Sequence, residues 1–140
     1  MTRFPDWPLR LVQYLRAADT KRFGYGANDC CLFVAGAVLA MTGTDIAAEF
    51  RGKYSSRKEA LSLALSYAGK RSVRALVEKG LGALPVVPVL CAQRGDIALV
   101  KRSRDVSLGL VALDGKAILA AGRDGLLRLP LTLGLRAWRV

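Results

Sequence analysis

The run from Cys30 to Thr42, Cys-Cys-Leu-Phe-Val-Ala-Gly-Ala-Val-Leu-Ala-Met-Thr, carries no charged residue and stops at Gly43. Asn28 and Asp29 stand immediately before it, and either side chain can accept from the unpaired N–H groups of a first helical turn. Gly43 suits the left-handed residue that ends a helix. A helix without a polar face is expected to be buried all round. It is too short to cross a bilayer, which takes about 20 apolar residues. Cys30 then lies on the first turn of a buried helix, where the helix dipole favours a thiolate. A cysteine hydrolase presents its nucleophile in this way, yet the chain contains no histidine.

The chain has 140 residues, 52% of them hydrophobic, enough for one domain with a substantial core. Met1-Thr2-Arg3-Phe4-Pro5-Asp6 lacks the basic start and apolar stretch of a signal peptide, and no run reaches membrane-spanning length. Three cysteines, two of them adjacent, do not form a disulfide framework, which fits a reduced protein made in the cytoplasm. Cys30, Cys31 and Cys91 also lack the paired spacing of a structural zinc site, so no metal or cofactor is expected. The net charge of +11 suits a polyanionic partner, or simply keeps an apolar chain dissolved. Its one tight group, Lys101-Arg102-Ser103-Arg104, reads as a solvated loop between strands, and no nucleic-acid-binding signature accompanies it.

In chain order, Asp6-Trp7-Pro8 opens a helix whose inner face is Leu11, Tyr14, Leu15 and Ala18, ending near Lys21. Phe23-Gly24-Tyr25-Gly26-Ala27 is a glycine-punctuated loop beside the thiol. Ser56-Arg57-Lys58-Glu59 has capping-box spacing and starts a helix with Leu61, Ala64, Leu65 and Ala68 inward and Gly69 as its stop. Ser72 starts a shorter helix, with Val73, Leu76 and Val77 inward and Gly80 at its end. Pro85 and Pro88 bracket an extended piece unsuited to a central strand. Strands are predicted at Asp96–Lys101, Val106–Leu113, Lys116–Ala121, Gly125–Leu129 and Leu135–Val140. Asp114-Gly115 signals a two-residue hairpin, and Arg123-Asp124-Gly125 a second turn. Helices followed by an antiparallel meander indicate an α+β domain with the helices on one side of the sheet.

Phe23-Gly24-Tyr25-Gly26, Asp29-Cys30, Phe33-Val34 and Gly43, followed by Arg94-Gly95-Asp96-Ile97-Ala98-Leu99-Val100, together resemble the NlpC-type cysteine peptidases. Arg51-Gly52-Lys53-Tyr54 and the closing Ala137-Trp138-Arg139-Val140 are similar to a small phage-encoded branch associated with the tail tips of long-tailed phages. The resemblance spans nearly the whole chain and implies one papain-like NlpC domain over residues 1–140, with the N-terminal helices packed on a C-terminal antiparallel sheet. It places the nucleophile at Cys30 and the Gly-Asp pair that begins the first sheet strand at Gly95 and Asp96. The family's histidine opens the following strand in a His-x-Gly pattern, and here Ser107-Leu108-Gly109 puts Ser107 in its place. The third polar residue, which orients the imidazole, belongs on the next strand, where Ala117-Ile118-Leu119-Ala120-Ala121 offers none.

This substitution decides between functions. A cysteine hydrolase needs a group that deprotonates the thiol and later protonates the leaving amine. Serine cannot titrate for that work, and arginine cannot exchange a proton near neutral pH. Cys30 then reads as a small core residue. Cys31 points elsewhere into the core, Asp29 serves as a helix cap, and Asp96 caps a turn or meets an arginine. The expectation is a non-catalytic component of a phage tail tip or baseplate hub, made in the host cytoplasm and residing in the virion tail beside other tail-tip proteins. Two alternatives stay open. One is a working peptidoglycan hydrolase using Cys30, with water or a partner chain as its base. The other is a nucleic-acid-contacting protein, for which the charge is the sole support.

Overall fold

The computed structural model describes residues 1–140, and its organisation follows from the helix α2 (Cys30–Thr42). The Asp29 carboxylate accepts from the Leu32 N–H at 2.9 Å, and Gly43 closes the other end at φ 77° with its N–H on the Leu39 carbonyl. On one side lies α1 (Trp7–Ala18), whose Leu11, Leu15 and Ala18 join Phe33, Val34, Ala37, Val38 and Met41 in the main core. The Tyr14 hydroxyl donates to the Phe33 carbonyl at 2.7 Å and ties the two helices together. On the other side lies the sheet.

α2 is not buried all round, because Leu39 is 41% exposed. The segment after Gly43 supplies a third wall through Ile46, Ala47 and Tyr54, but these pack on Leu32 and Ala35. Only the N-terminal half of the helix therefore gains that cover. α3 (Arg57–Ala68) and α4 (Val73–Gly80) begin at Ser56 and Ser72, whose side chains accept from the N–H groups of Glu59 and Ala75. The α3 face departs from the expectation too. Only Ala64 is buried, and Leu65 is 47% exposed. Ala60, Leu61 and Leu63 instead border a cavity, so this helix roofs a space rather than capping a core.

Six strands form one antiparallel sheet: β1 (Val86–Val87), β2 (Ile97–Arg102), β3 (Asp105–Val111), β4 (Ala117–Gly122), β5 (Gly125–Pro130) and β6 (Gly134–Trp138). Their order is β1-β6-β2-β3-β4-β5. The meander thus covers only β2 to β5, and β6 crosses back to pair with β2, placing Ala98 opposite Ala137. β1, between its prolines, is a short edge strand as expected.

The two-residue hairpins also fall elsewhere than Asp114-Gly115. Ser103-Arg104 joins β2 to β3, with Arg102 opposite Asp105, and Arg123-Asp124 joins β4 to β5. Around Asp114 the turn is wider, because the Ala112 N–H is held by the Ala117 carbonyl and the Gly115 N–H by the Ala112 carbonyl. Lys101 ends the predicted strand as expected, and Arg102, expected in a loop, extends β2 by one more residue.

β2 is apolar on both faces for a structural reason. Ile97 and Leu99 enter the helix-side core, while Ala98 and Val100 enter a second core with Ala92, Val111, Ile118 and Ala137. That second face is covered by Val89 and Leu131, from the short 3-10 turns Val89–Cys91 and Leu131–Leu133. Gly109 is required where β3 meets β4. A Cβ there would lie 2.5 Å from Ile118 Cγ2 and 2.8 Å from the Leu119 carbonyl oxygen.

Asp96 locks the two chain ends onto this sheet. It is fully buried and accepts from the Gln93 N–H (2.8 Å), Arg3 Nη2 (3.0 Å), Arg139 Nε (3.1 Å) and the Val140 N–H (3.3 Å). Arg3 also donates from Nε to the Val140 carbonyl at 3.0 Å and stacks over Trp7. Asp96 so combines the turn cap and the arginine partner read from the sequence.

Candidate functional site

Asp29 and Cys30 are positioned by one hydrogen-bonded cluster. Besides capping Leu32, Asp29 accepts at Oδ2 from the Gly26 N–H (3.0 Å) and from the Tyr54 hydroxyl (2.5 Å), and it is only 4% exposed. Burial and this bond to an anion raise the Tyr54 phenol well above its ordinary range, so it remains a donor. Gly26, at φ 78°, admits the approach: a Cβ there would meet the Tyr54 carbonyl oxygen at 2.0 Å. The glycine loop, the cap and the segment before α3 thereby fix the first turn of α2. The Cys30 and Cys31 N–H groups in that turn have no carbonyl four residues back within the helix.

The Cys30 thiol is half-buried and borders a cavity of about 510 Å³. This lies in the usual size range of small-molecule pockets, about 300–1,000 Å³. Phe23 and Tyr25 come from the glycine loop, Phe50 and Tyr54 from the segment after α2, and Leu61 and Leu76 from α3 and α4. Ser107, Ala121 and Gly122 form the sheet side. Of the 23 lining residues 15 are hydrophobic, while Arg57, Arg102 and Arg123 bring positive charge to the walls. Arg57 pairs with Asp105 at 3.2 Å, bridging α3 to β3. The sealed apolar surrounding expected of a core cysteine is therefore absent, and Tyr25 and Tyr54 are among the residues that line the cavity.

Cys31 packs against the main core as expected but does not point away from Cys30. Its Sγ lies 3.9 Å from the Cys30 Sγ, and it borders the same cavity. The bond between the two sulfurs is the largest of the influences that bring the Cys30 thiol down to about 7. Burial opposes this, the Leu108 backbone N–H and the Ser107 hydroxyl assist, and the Asp29 charge opposes. The same bond, followed by burial, pushes Cys31 well above the ordinary thiol range. The contact between the sulfurs thus eases ionisation of Cys30 at the expense of Cys31.

Ser107 stands on β3 facing this pair, with its hydroxyl turned towards the Leu108 carbonyl at 3.4 Å. The structure thus brings Asp29, Cys30 and Ser107 to one cavity, whereas Gly95 and Asp96 belong to the network at the chain ends. Among the cavity's other ionisable groups, Asp29 is held by its three donors and Asp105 by Arg57. The roles of Tyr54, Arg57, Arg102 and Arg123 here were not foreseen. Only Tyr54 carried a signal, as part of the Arg51–Tyr54 motif.

A crystal structure of the NlpC/p60 domain of peptidoglycan hydrolase SagA superimposes with a TM-score of 0.57 over 94% of this chain and 97% of that one, at 15% sequence identity. The likeness shows an NlpC-like, papain-like α+β fold. No curated protein matches the chain. Residues 2–140 match the model of a family described as a domain of unknown function (DUF6950), and the chain belongs to that family.

Proposed function

We propose that this chain is a non-hydrolytic NlpC-like module that serves as a structural component of a phage tail tip or baseplate hub. The observation that carries the non-hydrolytic reading is Ser107 facing Cys30, with no group beside the sulfur able to deliver a proton to a departing amine and recover it near neutral pH. Cys31 holds its proton too tightly for that exchange. The tail assignment draws on the Arg51–Tyr54 and Ala137–Val140 motifs. In this fold Tyr54 secures Asp29 and Arg139 secures Asp96, so both motifs are framework residues. Val86 (54% exposed), Leu90 (77%) and Leu135 (43%) give the β1–β6 side of the sheet apolar surface for neighbours. The charge of +11 favours acidic ones. In a phage carrying this gene, Cys30→Ala leaves assembled tails intact, while Leu90→Asp keeps the fold and prevents incorporation. Normal incorporation of Leu90→Asp would remove the proposed contact surface.

A working peptidoglycan hydrolase is the second reading, favoured by the open cavity that reaches an acidified thiol. Release of fragments from purified cell wall, abolished by Cys30→Ala, would establish it and overturn the first.

A further inference from the structure

Loss of the base removes one class of acyl transfer and leaves another. When a thiolate attacks an amide, the intermediate must expel an amine, which departs only after gaining a proton. When it attacks a thioester, the leaving group is itself a stable thiolate and needs none. The deficit at Ser107 therefore falls on amides and spares thioesters.

We propose that Cys30 accepts acyl groups from thioesters of anionic carriers, with the acyl chain in the apolar cavity and the carrier at its arginine-bearing walls. This rests on the reading that Cys30 has no acid–base partner. The cavity is large enough for an acyl chain, and Phe23, Phe50, Leu61 and Leu76 offer it apolar walls. Of the three arginines, Arg57 is occupied by Asp105, whereas Arg102 and Arg123 form no ion pair within the chain. These two complement a phosphate-bearing or carboxylate-bearing carrier. Cys30 and Cys31 lie in the first turn of α2, the positive end of the helix, which favours negative charge developing beside the Cys30 sulfur.

The step balances without a proton. Cys30 Sγ, as its anion, bonds to the thioester carbonyl carbon. The bond from that carbon to the carrier sulfur breaks, and the electron pair leaves on the carrier thiolate. No lining group activates water, so the new thioester on Cys30 is lost only by reverse exchange with the carrier thiolate, and an excess of the donor thioester drives acylation to one group per chain.

Incubation of the intact protein with octanoyl-coenzyme A, followed by mass spectrometry, tests this. One octanoyl group is expected on Cys30, absent in Cys30→Ala and retained in Cys31→Ala. Replacing both Arg102 and Arg123 by Gln slows the reaction about tenfold while leaving the rate with the uncharged octanoyl thioester of N-acetylcysteamine unchanged. Absence of an adduct on a Cys30 that iodoacetamide still alkylates would overturn the proposal and leave the non-hydrolytic reading intact. Equal acylation of the exposed Cys91 would overturn it as well, since the cavity would then confer nothing. Repeated thioester hydrolysis would refute the persistent adduct, and cleavage of a peptide amide dependent on Cys30 would refute the reading beneath it.

Discussion

Replacing Tyr54 by Phe removes one oxygen and tests whether the Asp29 cluster holds the thiol in place. The Tyr54 hydroxyl donates to Asp29 Oδ2 at 2.5 Å, and Asp29 is 4% exposed, so water cannot readily replace the lost donor. A hydrogen bond to a buried charge is worth about 1.5–3 kcal/mol. Tyr54 is itself half-buried, which places the expected loss nearer the lower end, about 1.5–2 kcal/mol. At roughly 3 °C per kcal/mol for a chain of this size, Tm falls by about 5 °C. The urea midpoint falls in parallel, with an unchanged slope. The thiol responds too. With one donor gone, the Asp29 charge is less neutralised, and that charge already opposes ionisation of Cys30. The pH profile of Cys30 alkylation by iodoacetamide therefore moves upward. Asp29→Asn provides the opposite sign, because Asn still caps the helix while the charge disappears. A stability change below about 0.5 kcal/mol, within the range of an ordinary surface substitution, together with an unmoved alkylation profile, would refute this account.

Two further outcomes follow from the buried groups. Asp96→Asn places an amide among four donors and leaves Arg3 and Arg139 without their counter-charge, so a loss of about 3–5 kcal/mol is expected in urea unfolding. The thiol pair gives stability a pH optimum. The depressed Cys30 makes the unfolded chain bind more protons between pH about 7 and the ordinary thiol range, so stability rises with pH there; above that range the proton held by Cys31 reverses the sign. Urea midpoints against pH should show the rising limb, on the order of 1 kcal/mol, and Cys30→Ser should abolish it.

Features written in adjacent residues were legible before the structure. Asp29 and Gly43 bracket α2, Ser56 and Gly69 bracket α3, and the prolines mark β1 as an edge, because a cap or a missing N–H acts within a few residues. What failed depends on distant parts of the chain. β2 is apolar on both faces, so its sequence carries no alternation to show which strand lies beside it, and the return of β6 to pair with it stayed hidden. The exposed Leu39 reflects where the segment after Gly43 stops covering α2. At the site, Asp29 could be read as a cap, but its bond to Tyr54 spans 25 residues and has no periodic signature. Cys31 packs against the core as its helical position suggests, but its sulfur does not point away from Cys30. The first turn lies at the cavity edge, where both sulfurs border the same space.

Placing an imidazole at position 107 would show which part of a cysteine hydrolase's chemistry this scaffold can support. Ser107 borders the cavity on β3 beside α2, so a larger ring has room to extend from it towards the sulfur. In Ser107→His, an imidazolium within about 4–6 Å of Cys30 favours the thiolate and lowers its pKa by a further 1–3 units. Alkylation at pH 6 should then accelerate, provided circular dichroism shows the fold unchanged. Peptide cleavage need not follow. On the neighbouring strand β4, Ala121 and Gly122 border the same cavity as position 107. Neither offers a polar side chain to hold the imidazole in one tautomer and orientation. A folded Ser107→His protein with an unaltered alkylation profile would mean that β3 does not present position 107 to the sulfur. Turnover of a peptide amide by this single variant would mean that the orienting partner is dispensable and that one substitution separates this protein from a hydrolase.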